Sequence, residues 1–356
     1  MNVLSGGVFA TGTDDLSDLR HLVDDIGRRS FQARIGHRAL PDRFDATAWG
    51  HLAEAGLTRL DSAADSGGGP TEVAVVLRSL ARHAVTVPLA ETDLLAGWLA
   101  GSAGLQIPDD APATVALGAA TGEGTRVRAT VAGVPYAAEA RAVVLALRDG
   151  DRLLVAVADP ADLRITGGHN VGGEPRSSVT VDRVAESFAV LPGADAELLR
   201  RGAWARCVQT IGALDAAVEF SVEHTRAREQ FGRPLSAFQS VQHTLAGMAG
   251  EVERARAATN LAVAAAADFG FDSPRTDYAV AAAKVTLGQV VPGVVTAAHQ
   301  LHGAIGVTIE HRLWLATMRA RGWVEEFGDT AQYARRLGRL ALSGADPWDL
   351  VIGNGV

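Results

Sequence analysis

The hydrophobic period changes twice along this chain, and those two changes restrict the folds open to it. From Asp14 to Pro112 apolar residues recur at helical spacing, as in Leu19, Leu22 and Val23, then Phe44, Trp49, Leu52 and Leu57, then Val73, Val76, Leu77 and Leu80. Thr71 reads as the cap of that third helix, Pro88 as its end, and Leu94–Leu99 as the start of another. Between Ala113 and Leu191 the pattern becomes that of strands. Residues 125–131 alternate, and the apolar runs 142–147 and 152–158 flank Asp149-Gly150-Asp151, a hairpin signal; residues 178–184 form a further strand. From Asp195, read as an N-cap, the helical period returns and stays. One stripe holds Trp204, Val208, Ile211, Leu214, Val218 and Val222, and a second long helix spans Ser236–Phe269. Ser273-Pro274 restarts the chain as N-cap and first helical residue, and further helices begin near Thr308 and Asp329. The expected class is α+β, mostly α. It comprises an N-terminal helical domain over 14–112, a small β domain over 113–194 and a C-terminal antiparallel helical bundle over 195–345.

Composition narrows the function. A net charge of −8 over 356 residues argues against a non-specific nucleic-acid binder. The single cysteine, Cys207, permits no disulfide within the chain and no cysteine-based metal site, and it reads as a small buried residue. No apolar run in the sequence has the ~18–20 residues of a membrane span, and the N-terminus lacks the basic start and apolar core of a signal peptide, so a cytoplasmic location without membrane contact is expected. Lys284 is the only lysine beside 32 arginines, which reads as a coding bias toward GC-rich codons.

Three segments carry chemistry. Residues 228–243 turn from one long helix into the next through Gly232 and Pro234, and gather Arg228, Gln230, Phe231, Phe238 and Gln239. Residues 300–308 end a helix with Gln300 and His302, followed by Gly303 and Gly306, glycines that leave backbone amides open to a phosphate or a flat ring. Residues 327–332 enter the last helix, where Thr330 reads as a cap and the helix N-terminus favours an anion. Each segment alone is matched by a plain reading: a solvated turn, a glycine C-cap, an N-cap. Their order within a helix–β–helix chain is what makes them informative. His299 and His302 lack nearby carboxylates at suitable spacing, so no metal site is expected.

With these segments in view the chain resembles the acyl-CoA dehydrogenase superfamily. Residues 228–235 (Arg-Glu-Gln-Phe-Gly-Arg-Pro-Leu) with Phe238-Gln239 are similar to its flavin-adenine segment. Residues 300–306 are similar to its Gln-x-x-Gly-Gly-x-Gly segment, with Ala304 in place of the second glycine, and Thr330-Ala-Gln332 to its Thr-x-Gln. Residues 49–57 and 66–69 match its N-terminal domain more loosely. The resemblance implies FAD bound between protomers, with Arg228, Phe231 and Gln239 of one subunit on the pyrophosphate and adenine side. It further implies that Gln300–Gly306 reach across from a neighbour and that Thr330 and Gln332 hold the phosphates. It implies an acyl-CoA substrate oxidised at its α,β bond, electrons passed to an electron-transferring flavoprotein, and either a homo-oligomer or a hetero-oligomer with a related dehydrogenase subunit.

The resemblance also exposes what is missing. The family's base is a Glu two residues before the Thr of Thr-x-Gln, and here that position is Gly328. Other members place it on the first long helix of the C-terminal domain, which here falls at about Gly202. Glu326 is the nearest other carboxylate, and a solvated helix end is the plain reading of Glu325-Glu326. The family's Thr-Glu-Pro-x-x-Gly-Ser type loop has no counterpart in residues 116–125. The catalytic residue is therefore unassigned. Two readings stand: a dehydrogenase acting alone or as a subunit, and a non-catalytic FAD-binding partner that completes the site of a related chain.

Overall fold

The structure, a computed structural model, describes residues 15–34, 40–63, 67–121, 125–309, 311–344, 346 and 348–349. The Ser66 end of the Gly/Ser loop, residues 122–124 of the loop before the alternating strand, and Asp14 lie outside the described residues. The N-terminal part holds α1 (Asp15–Arg34), α2 (Ala46–Glu54) and α3 (Pro70–Arg82). A buried π-helical segment, Glu91–Gly97, then runs on into the short α4 (Trp98–Ser102). α3 starts one residue before Thr71. Gly69 is its N-cap, Pro70 sits in its first turn, and Glu72 Oε2 accepts the Gly69 N–H at 2.9 Å. The helix ends at Arg82, well before Pro88.

The middle part is two sheets. β1 (Ala113–Ala119), β3 (Ala142–Asp149), β4 (Arg152–Ala158) and β7 (Ala189–Pro192) form one, in the order β1-β3-β4-β7; β1 and β3 run parallel. β2 (Arg126–Pro135), β6 (Arg176–Val184) and β5 (Arg164–Thr166) form the other. The hairpin at Gly150-Asp151 forms as expected, with Asp149 opposite Arg152. The inner faces of the two sheets share a core of Val127, Ala129, Val131, Leu145, Leu147 and Val179.

The C-terminal part is a helical bundle of α5 (Ala194–Ala227), α6 (Gln239–Phe269), α7 (Pro274–His302), α8 (Arg312–Glu325) and α9 (Thr330–Ser343). A tiny hairpin, β8 (Glu229–Gln230) with β9 (Arg233–Pro234), joins α5 to α6. Trp204, Ile211, Leu214 and Val218 of α5 are buried as their spacing requires. Asp195 does not cap α5. Gly193, at φ +73°, occupies the cap, and Asp195 pairs with Arg148 of β3 at 3.1 Å. Ser273 caps α7 by accepting the Arg275 N–H, as expected. α5 is the axle of the molecule. Gly212 lets it lie directly against the backbone of α3, since a Cβ there would collide with the Arg78 carbonyl oxygen.

Contrary to the reading of the sequence, one helical stretch among the described residues, Pro274–Val307, is long and apolar enough to cross a membrane by length and composition. In the fold 56% of its most apolar window is buried, and it packs in the bundle as a core helix does.

Candidate active site and cofactor segments

The loop between α8 and α9 is where the three parts meet. Glu326 leaves the end of α8 and places its carboxylate between two buried guanidiniums. Oε1 accepts from Arg176 Nη2 at 2.7 Å and Nε at 3.2 Å, and Oε2 accepts from Arg206 Nε at 2.7 Å. Arg206 also donates to Glu91 Oε1 and Gln209 Oε1, each at 2.6 Å. Arg176 lies 3.3 Å from Glu174, whose Oε2 accepts from Trp323 Nε1 at 2.8 Å and Asn170 Nδ2 at 2.9 Å. One network thus joins the N-terminal helices (Glu91), the β domain (Glu174, Arg176), α5 (Arg206) and the α8–α9 loop (Glu326). Burial alone would raise the Glu326 pKa. The charges of Arg176 and Arg206, and their hydrogen bonds, reverse this and hold the carboxyl well below the usual carboxylate range. A carboxylate so poised is a poor proton acceptor. The plain reading of Glu325-Glu326 holds for one of the pair: Glu325 is exposed, whereas Glu326 is held in the network.

The two positions that could carry a base are closed. A Cβ on Gly202 would run into the Phe327 ring, which fills the space beside α5. Gly328 has φ +110°, and a Cβ there would come within 2.8 Å of Tyr333 Cε2 and 3.2 Å of Gln332 Oε1. The turn is locked on every side. Phe327 itself adopts φ +57°, Tyr333 donates its hydroxyl to the Phe327 carbonyl at 3.0 Å, and Lys284 Nζ donates to the carbonyls of Val324 (2.6 Å) and Glu326 (2.8 Å). Lys284 is buried, and desolvation lowers its pKa. Cys207 is buried too, and its thiol is pushed up to about 12, which makes it chemically inert.

Beside this loop lies a mainly apolar cavity of about 440 Å³. Val115 and Leu117 of β1, the bulge at 131–135 of β2, and Leu199 of α5 form its walls. His169, Asn170, Arg176, Glu326 and Phe327 form its polar end. Its size suits a flat ring or an acyl group, but its charged groups are already matched to one another.

The remaining segments divide into two sites. At the far end of α5, Arg228, Gln230, Phe231 and Gln239 are all exposed, Phe231 by 90%. Phe231 (φ +54°) and Gly232 (φ +77°) make the hairpin turn, Phe231 meets Phe238 edge to face at 6.2 Å, and Arg233 lies over Phe238 at 4.1 Å. Gln300 and Gly303 are exposed at the end of α7, where Gly303 has φ +65°. Gly306 is instead buried against His302 and Leu313, so its lack of a side chain serves packing. His224 of α5 and His302 of α7 stack at 4.4 Å, which brings the Arg228 and Gln300–Gly306 segments together within one chain.

Thr330 and Gln332 stand elsewhere. Thr330 packs against Gly288, fourteen residues before His302 and so ~21 Å away along α7 at 1.5 Å per residue. Thr330 is the first residue of α9, not its cap. Asp329 caps the helix by accepting the Gln332 N–H at 2.7 Å, and Gln332 Oε1 returns the bond from Asp329 N at 3.0 Å.

The arginine–glutamate network escaped the sequence reading because its members sit at core positions of α5 and β6, where composition shows only one more arginine among 32. The available signals were Arg206 inside the Trp204–Val208 apolar stripe and the lone Lys284 inside an apolar helix. Among the described residues, no group of three or more His, Cys, Asp and Glu side chains is arranged to hold a metal ion.

The family model for the acyl-CoA dehydrogenase C-terminal domain matches residues 194–336, the span of α5 to α9 that carries all three segments. The chain is 25% identical over 328 residues to acyl-CoA dehydrogenase IpdE2 of Mycolicibacterium smegmatis, covering 89% of this chain and 93% of that protein. It is 29% identical over 337 residues to acyl-CoA dehydrogenase FadE27 of Mycobacterium tuberculosis, covering 84% and 89%. Among solved structures, a Tcur3481-Tcur3483 steroid ACAD G363A variant superposes with a TM-score of 0.79 at 26% identity, covering 93% of this chain and 99% of that one. Fold, segment order and relatives agree: residues 194–336 form an acyl-CoA dehydrogenase C-terminal domain, and the chain as a whole is similar to acyl-CoA dehydrogenases, oxidoreductases that act on CH–CH groups.

Proposed function

We propose that this chain is the base-lacking subunit of an FAD-dependent acyl-CoA dehydrogenase, working beside a related chain that supplies the carboxylate. The observation that carries this reading is the double closure at Gly202 and Gly328, where the Phe327 ring and the locked turn leave no room for a base. The exposed Arg228 end fits one part of FAD: a guanidinium for the pyrophosphate, two rings and amide side chains for the adenosine. The ring end fits less well, because Arg176 and Glu326 are spent on each other. FAD, when bound, supplies the acceptor for the hydride leaving the β carbon. This chain's own residues bind, orient and exclude water. Thr330 faces α7 at Gly288, ~21 Å along that helix from His302, which lies beside the Arg228 turn; this separation along α7 supports a cofactor site built from two chains, and similarity to the Tcur3481-Tcur3483 steroid ACAD, which carries two chain names, supports a two-chain assembly. An acyl-CoA substrate and an electron-transferring flavoprotein as acceptor belong to the same reading.

Arg228→Ala should weaken FAD binding to the assembled protein by about 1.5–3 kcal/mol, the range for a hydrogen bond to a charged group. Equilibrium flavin titration checks it, together with the stoichiometry. Half a flavin per chain is expected in an assembly of equal numbers of the two subunits. One flavin per chain, or unchanged affinity in Arg228→Ala, would overturn the reading.

A further inference from the structure

Three histidines from three elements meet where the two flavin-side segments join. His224 lies one turn before Arg228 on α5, His302 is the last residue of α7, and His311 is the N-cap of α8. The His224 and His302 rings stack at 4.4 Å with 23° between planes. His311 stands edge-on to both, 5.1 Å from His302 and 6.5 Å from His224.

The hydrogen bonds fix the protonation. His302 Nδ1 donates to the Ala298 carbonyl at 2.8 Å, while its buried Nε2 has no partner among the described residues. Nδ1 therefore carries a proton, and a buried Nε2 with no acceptor to share a second one favours the neutral ring. His311 Nδ1 accepts the Leu313 N–H at 3.2 Å, so that nitrogen carries no proton. Surrounding charge favours this neutrality. Burial and then Arg228 lower the His224 pKa; burial and, less, Arg321 lower that of His299; and His299 in turn adds to the pressure on His302. Arg312, next to His311, is paired with Glu223, which lies beside His224.

We propose that this neutral imidazole stack is a positioning device: it docks the Arg228 turn onto the Gln300–Gly306 segment, and acid undoes it by charging rings that touch. The proposal rests on the flavin reading above for what the docked segments bind, but the docking itself is a property of the chain alone. Burial, then the neighbouring histidines, push His302 down to about 4, although its bond to Ala298 opposes this. A histidine whose folded pKa is lowered stabilises the docked state above its ordinary value of 6.5 and loses that contribution as pH falls toward 4. At pH 5 the shift from 6.5 to about 4 corresponds to a docked state weakened about 20-fold relative to pH 7.

Hydrogen exchange on the full chain without added flavin is the direct test. Residues 228–235 and 303–307 should lose protection between pH 7.5 and pH 5, after correction for intrinsic rates, in the wild type. They should lose little in His302→Gln, which keeps a polar side chain that cannot take charge, and less than the wild type in His224→Gln, which removes a neighbouring ring but leaves His302 buried. Histidine NMR on the same chain should place His302 well below 6.5. An ordinary pKa for His302, or equal acid loss in wild type and both variants, would overturn the proposal. FAD titration of the assembled protein separates it from the reading beneath. No flavin bound at pH 7.5 defeats the flavin reading and leaves the exchange result to decide the stack. Flavin bound at pH 7.5 and lost alike at pH 5 by wild type and His302→Gln defeats the stack alone.

Discussion

Glu326→Gln is expected to destabilise the fold by about 3–5 kcal/mol while leaving any residual proton abstraction unchanged. The substitution leaves Arg206, 2% exposed, and Arg176, 7% exposed, short of the one carboxylate they share. A base would behave in the opposite way, losing turnover and keeping its fold. Denaturant unfolding of the two proteins measures the first quantity, and an equal midpoint would contradict the network's role. The companion Glu326→Gln with Arg176→Met should recover part of the loss, because it removes an orphaned charge together with its partner. The pH dependence follows from the same geometry. The Glu326 pKa is depressed in the fold, so its contribution is fully present above the ordinary carboxylate value of 4.5 and is lost as pH falls below it. Wild-type stability should therefore fall more steeply below pH 4.5 than that of Glu326→Gln. This window lies on the acid side of the histidine stack's window, so the two are separable in one titration.

The second large effect concerns turnover. Expressed alone, the chain should oxidise acyl-CoA thioesters at least ~10²–10⁴-fold more slowly than when assembled with a related subunit carrying the family Glu, the usual contribution of a general base. The cause is steric as much as chemical. Restoring a carboxylate by Gly202→Glu should fail, because the Phe327 ring stands where the side chain would go. Gly328→Glu should fail because the turn holds φ at +110° against Tyr333. Turnover in the lone chain comparable with that of the assembly would contradict this account.

How far the sequence foretold the molecule depended on periodicity. The long helices α5, α6 and α7 were legible because each buries a stripe against several neighbours, so the 3.6-residue repeat is strong. β2 was legible because one face is buried and its residues alternate. β1 was not. Residues 113–116 are all buried, so the strand shows an apolar run without alternation, and it read only as the place where a family loop had been lost. Helix caps were misread where two candidates were adjacent. Asp329 outcompetes Thr330 because its carboxylate reaches the Gln332 N–H, and Gly193 outcompetes Asp195 because the chain turns there with positive φ. The flavin-side segments were legible as motifs because Arg228, Phe231 and Gln300 are exposed, with no packing reason for their identity. The Arg176–Glu326–Arg206 cluster was not, since a buried ion pair depends on contacts 120 and 150 residues apart in sequence.

The claim that this chain has no base of its own is tested most directly by anaerobic single-turnover mixing with acyl-CoA thioesters, following the flavin absorbance. The assembly with a Glu-bearing relative should bleach within a turnover, and the same assembly with that relative's Glu replaced by Gln should show no bleaching while its flavin stays bound. Bleaching of the disabled assembly that Glu326→Gln in this chain abolishes while flavin stays bound would contradict the account and make Glu326 the base.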